Sequence, residues 1–144
     1  MPAPPGFTSY VSTIRRLMCL DLLTDRMRWN RTYEGGCDRM SITPDGKQIY
    51  LPSLESSFWN VVDGATGEVL HRIEPNSGAH NTIVGLDGKR AYLAGLRSPL
   101  LPVVDTRTQE IVRRVGPFTQ PIRPFTIKRT ADSLLCEHQR SSGL

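Results

Sequence analysis

Residues 41–52 read SITPDGKQIYLP and residues 59–73 read WNVVDGATGEVLHRI; the same order of letters returns as TIVGLDGKRAYLA at 82–94 and LPVVDTRTQEIVRRV at 101–115. Asp45, Gly46 and Tyr50 recur as Asp87, Gly88 and Tyr92, a displacement of 87 − 45 = 42 residues. Asp63 and Thr66 recur as Asp105 and Thr108, and Asp21 and Thr24 stand one interval upstream, 63 − 21 = 42. A fixed period of this length sets the architecture before any single residue does. Each repeat is one supersecondary unit that buries its apolar faces only against its neighbours.

Each unit divides into four short segments. In the middle unit they are 38–43, 47–51, 57–62 and 68–73; in the next, 80–85, 89–94, 98–104 and 109–115. Upstream, 14–20 and 26–33 have the same character. Asp-Gly between apolar runs is a hairpin signal, because Gly takes positive φ at little cost. In D-x-x-T the Asp carboxylate accepts backbone N–H bonds inside the turn and the Thr closes it. No apolar i, i+3, i+4 stripe runs for three turns, so helices are excluded. Four strands in about 40 residues is the signature of a propeller blade. The expected fold is all-β: a β-propeller fragment of antiparallel four-stranded blades, two full and two half, in an open arc.

PDGKQIYLP and LDGKRAYLA, each followed by VVD-x-x-T, resemble the YVTN-type β-propeller repeats of the WD-repeat-like superfamily over residues 14–127. Leu-Pro or Leu-Ala follows the Tyr where that family has Val-Thr. The resemblance implies the blade fold and leaves the activity open. It also implies that full-length relatives are often exported, although MPAPPGFTSYVST lacks the charged start and apolar stretch of a signal peptide. Arg15-Arg16 does not make a twin-arginine signal, since the following apolar run is short and broken by Asp21. The compartment stays unassigned.

Residues 1–13 are Pro/Gly-rich and are expected to be disordered. Residues 14–33 read as a partial blade, 38–73 and 80–115 as full blades, and 122–127 as the start of another. Joining the half blades gives a ring of three, whereas propellers close with at least about four; the chain therefore reads as part of a larger ring. In 128–144 the expected D-G-K-x-x-Y is replaced by RTADSL at 129–134. Two readings stay open there: a diverged last strand, or a frameshifted tail, since some codon choices read one base later restore a turn and a strand.

Apolar residues make up 38% of the 144 and mean hydropathy is −0.31, with no run near the roughly 20 apolar residues of a membrane span. The net charge of +4 comes from Arg scattered through every repeat, with no basic block and no aromatic RNA-binding signature, which excludes a nucleic-acid surface. Cys19, Cys37 and Cys136 are an odd count without C-x-x-C spacing, so neither a zinc site nor a redox pair is implied.

The recurring residues are turn residues, and the Asp-Gly and D-x-x-T turns share one face of a blade. Function is therefore sought on the other face, in the second-to-third loops and the links between blades. Asp38, His80 and Ile122 hold one repeat position there; Arg39, Asn81 and Arg123 hold the next. Each stands where an innermost strand begins, beside the central channel, and each taken singly is expected to bond neighbouring backbone. Together they form a candidate ligand-binding rim with Arg97, and Glu55 occupies the loop equivalent to that of Arg97. Arg39 and Arg123 would suit a carboxylate or phosphate. Asn81 and His80 are strand neighbours pointing to opposite faces, so they are not a ligand pair. Trp59, Phe58, Leu100 and Leu101 are expected between blades, and His71 in solvent. No catalytic motif, metal site or cofactor is indicated. The expected role is a non-catalytic binding or scaffold module for a small anionic ligand or a protein partner, with self-association through exposed blade edges. The alternative is part of a propeller enzyme, a lactonase-like hydrolase or a quinoprotein-type oxidoreductase.

Overall fold

The computed structural model describes residues 8–122, 125–127 and 134–136, and every regular element among them is a β-strand. Strands β1 (Thr8–Ser12), β2 (Arg16–Asp21) and β3 (Arg26–Thr32) form one antiparallel sheet. Strands β4 (Ser41–Ile42), β5 (Gln48–Pro52), β6 (Trp59–Asp63) and β7 (Val69–Ile73) form the second, in sequence order. Strands β8 (Ala79–Val84), β9 (Arg90–Gly95), β10 (Leu101–Asp105) and β11 (Ile111–Val115) repeat that sheet, and β12 (Phe125–Ile127) pairs with β13 (Leu134–Cys136). These are meanders without crossovers, the blades of a β-propeller in an open arc.

Two expectations need correction. Thr8–Ser12 was placed in a disordered N-terminus and is instead strand β1, paired with β2 from Thr8↔Asp21 to Ser12↔Leu17. The free edge of β2 offers a row of backbone groups that pairing satisfies. Tyr10 anchors the strand: its ring lies 6.0 Å from that of Trp29, and its hydroxyl donates to Gly64 O at 3.0 Å. The first sheet thus holds three strands of a blade rather than two. The innermost strand 38–43 is also shorter than expected, since only Ser41–Ile42 pairs with β5. In the tail, Leu134–Cys136 is a strand; Arg123, His138, residues 1–7 and the rest of 128–144 lie outside the described residues.

The repeat is more regular in backbone than in letters. Bulges fall at Cys19/Leu20, Val61/Val62 and Val103/Val104, each 42 residues apart. Positive φ recurs at Asp25 (55°), Gly67 (75°) and Gln109 (64°), again 42 apart, and at Gly46 (73°) and Gly88 (72°) in the Asp-Gly turns. The D-x-x-T turns are built as their letters require: Asp21, Asp63 and Asp105 each accept two backbone N–H bonds through Oδ1. Thr66 and Thr108 accept from Glu68 N and Glu110 N. These bonds favour the ionised carboxylate. A hydrogen bond from Arg28 and then the backbone hold Asp21 below the usual aspartate range; the backbone N–H of Arg107 leads for Asp105.

Blades stack through alternate residues of the same strands. Tyr50, Trp59, Val61 and Ile73 meet Ala79, Ala91, Leu93 and Val104 of the next blade. Ile49, Leu51 and Val62, on the opposite face, meet Leu17, Tyr33 and Cys37. Each fully buried large side chain contributes about 1.5–3 kcal/mol. Cys19 and Cys37 are free and buried, and burial pushes the Cys37 thiol up to about 11.

Candidate functional site

The two faces separate as the repeat requires. Gly64 N donates to Lys47 O and Thr106 N to Lys89 O, so the Asp-Gly and D-x-x-T turns of each blade sit side by side. At the other end, the links are tied to the second-to-third loops: Asp38 N donates to Pro52 O, Glu55 N to Gly35 O, Ala79 N to Ser56 O and Leu96 N to Gly78 O.

On that link face the rim residues of successive blades converge. His80 Nδ1 lies 2.9 Å from Asp38 Oδ2, and both side chains are only 17% exposed. A carboxylate oxygen accepts, so in this pairing Nδ1–H is the donor. One residue on, Arg39 and Asn81 form a parallel β-bridge, which brings the starts of two innermost strands edge to edge. Asn81 Oδ1 accepts from Thr82 N at 2.9 Å. Arg39 is exposed, and among the described residues it enters no ion pair. Arg97, also exposed, folds over Gly78: a Cβ added there would meet its Nε at 2.9 Å. Both Arg39 and Arg97 thus belong to the same face as the Asp38–His80 pair.

Glu55 is not free for a ligand. Arg15 Nη2 donates to both its oxygens, at 2.9 and 3.1 Å, from the loop between β1 and β2. With side-chain exposures of 59% and 45%, this pair contributes about 0–1 kcal/mol. Arg15 was missed because its loop is recognisable only once β1 is a strand. Trp59 is buried between blades as expected, Leu101 is buried against Ala94 and Ile122 at the last full sheet, and Phe58 is half-buried beneath the Arg72 guanidinium, 3.9 Å from its ring centre. His71 is exposed on β7.

The turn face carries an open cleft of about 800 Å³ lined by Tyr10, Arg28, Pro44, Lys47, Leu70 and Leu86. Much of its polar lining is already engaged: Tyr10 with Gly64 O, Arg28 with Asp21, and Asp45 with Thr43 and the Lys47 N–H. Its residues serve the turns. Among the described residues no three His, Cys, Asp or Glu side chains gather as a metal site.

No protein-family model and no curated protein matches this sequence. Among solved structures the chain is similar to Kuenenia stuttgartiensis hydrazine synthase, with a TM-score of 0.84 and 22% identity over 98% of this chain. That alignment takes in 41% of the hydrazine synthase chain, so this chain spans less than half its length. At this identity the likeness establishes the fold, an arc of propeller blades, and nothing of the chemistry.

Proposed function

We propose that the chain is a binding or scaffolding propeller module without catalysis of its own, part of a larger ring, and that its link-loop face receives a small anionic ligand. The supporting observation is the convergence at the rim: the same repeat position of two blades is joined through Asp38 and His80, and Arg39 and Arg97 are exposed on the same link-loop face. Groups that converge from successive blades toward a channel provide the few placed polar contacts a small-molecule site needs. Arg supplies the forked donors that a carboxylate or phosphate accepts.

Titration calorimetry with inorganic phosphate and with citrate tests this reading. Arg39→Ala and Arg97→Ala should each weaken binding by about tenfold to a hundredfold, since one hydrogen bond to a charged group is worth about 1.5–3 kcal/mol. Arg113→Ala, on the outermost strand β11, should leave it unchanged. Equal affinity in all three variants, or no binding at millimolar ligand, contradicts the proposal.

A propeller enzyme is the second reading, favoured by the orientation that Asp38 imposes on His80. A carboxylate fixing Nδ1–H leaves Nε2 placed as a general base or a metal ligand. Lactone turnover lost in His80→Gln while phosphate affinity is kept would establish that reading over the first.

A further inference from the structure

The outer rim of the arc carries charge of one sign. The outermost strands hold three arginines in β3, one in β7 and two in β11, and none of the three strands contains Asp or Glu. The fourth strand of a meander blade has a neighbour on one side only. Strand β11 pairs with β10, and among the described residues nothing pairs with its other edge. The backbone N–H and C=O groups along that edge are a template for one more strand. Exposed arginines on an edge repel a strand of like charge, so another basic rim is disfavoured there while an acidic strand is attracted.

The three edges are not equally available. Arg28 is paired with Asp21 at 2.9 Å, Arg31 donates to Thr66 O at 2.7 Å, and Arg72 lies over the Phe58 ring. On β11, Arg113 is exposed and enters no ion pair among the described residues, and the bond from Arg114 Nη1 to Pro75 O is stretched to 3.5 Å. The register gives these two arginines a particular geometry. Val112 is the extra residue at the Val103/Val104 bulge, so 113–115 is the regular run, facing Val103, Pro102 and Leu101 in turn. Arg113 and Arg114 therefore leave opposite faces of the sheet. Val112, next to them, is 52% exposed.

We propose that the outer edge of β11 is a docking site for an extended acidic segment of another protein, which adds to the blade as a fifth strand. An added strand lies about 4.8 Å away, and its successive side chains also alternate between faces. Two adjacent carboxylates in it thus meet Arg113 on one face and Arg114 on the other, and an apolar neighbour covers Val112. Main-chain bonds supply the affinity of such strand addition, and the side chains its selectivity. The free edge favours this partner over an anionic lipid surface, where its backbone groups would stay unsatisfied in the apolar layer. The site is separate from the anion site of the link-loop face and does not rest on it.

Fluorescence anisotropy of the full chain tests it, with a short labelled peptide in which two adjacent glutamates stand between β-branched residues. Arg113→Ala and Arg114→Ala should each weaken binding about twofold to fivefold, as the loss of an exposed ion pair does, and Arg72→Ala should leave it unchanged. A copy of the peptide N-methylated along its backbone cannot donate to the edge and should not bind. Arg113→Glu combined with Arg114→Glu should reject the glutamate peptide and take its lysine counterpart, which a chain that had lost its fold would not do. No binding at millimolar peptide overturns the proposal, as does retained affinity of the N-methylated peptide, equal affinity in the Arg113 and Arg114 variants, or a charge-reversed chain that ignores the lysine peptide. Phosphatidylserine vesicles that bind the chain and displace the peptide would make the rim a membrane surface and overturn it too.

Discussion

The contact between Trp59 and Thr82 offers the most quantitative test of blade stacking. Trp59 is 0% exposed on β6 and its indole Nε1–H donates to Thr82 Oγ1, 2.8 Å away on the innermost strand of the next blade; Thr82 is 4% exposed. Trp59→Phe leaves the hydroxyl buried without its donor, about 1–3 kcal/mol, and the smaller ring opens a void worth about 1 kcal/mol more. The expected loss is about 2–4 kcal/mol. Thr82→Val keeps the shape and strands the indole N–H instead, for about 1–3 kcal/mol. The double variant removes both polar partners, so its loss should fall short of the sum by about 1–2 kcal/mol. Urea unfolding followed by far-UV circular dichroism measures all four corners of the cycle, with an unchanged denaturant slope as the condition for comparing them. Additive losses, within about 0.3–0.5 kcal/mol, would refute the contact and with it this account of how the blades meet.

Two further outcomes follow from the turns. The carboxyls of Asp21, Asp45 and Asp105 are depressed in the folded chain, so their stabilisation is complete above the ordinary aspartate value of 3.8 and is lost as pH falls through the folded values. The melting temperature should therefore hold from neutrality down to about pH 5 and fall steeply below about 4, and in Asp105→Asn the acid-side fall should be shallower. In a separate comparison, Gly64→Ala should cost well over the roughly 1 kcal/mol expected of Gly46→Ala. A Cβ at Gly64 would stand 2.1 Å from Gly46 O, whereas one at Gly46 meets nothing within 4 Å; equal melting temperatures for the two variants would contradict the apposition of the turns.

The fold was legible because turn chemistry is written in letters. Asp-Gly and D-x-x-T require particular side chains, so the period shows at Asp45 and Asp87, and at Asp21, Asp63 and Asp105. What the letters do not carry is backbone that any of several residues accepts. The left-handed position after each D-x-x-T holds Asp25, Gly67 and Gln109, three residues with no common signature. Strand β1 was hidden because its Asp-Gly turn is absent and a Pro-rich stretch precedes it. At the rim, the shared position of Asp38 and His80 was visible as arithmetic, but their 2.9 Å contact was not, since each was expected to bond backbone. Innermost strands of successive blades run side by side around the channel, as the parallel bridge of Arg39 and Asn81 shows, so equivalent positions become neighbours. Arg123, the third member of that series, lies outside the described residues.

That convergence is the central claim, and a disulfide tests it most directly. Neighbouring strands stand about 4.8 Å apart, within the roughly 4.4–6.8 Å between Cα atoms that a disulfide spans. With Cys19, Cys37 and Cys136 replaced by alanine, Arg39→Cys and Asn81→Cys should oxidise to a compact, faster-migrating single chain on a non-reducing gel. Asn81→Cys paired with Arg113→Cys, three strands apart in one sheet, should stay reduced. A free 39/81 pair under conditions that close the 81/113 pair would contradict the claim.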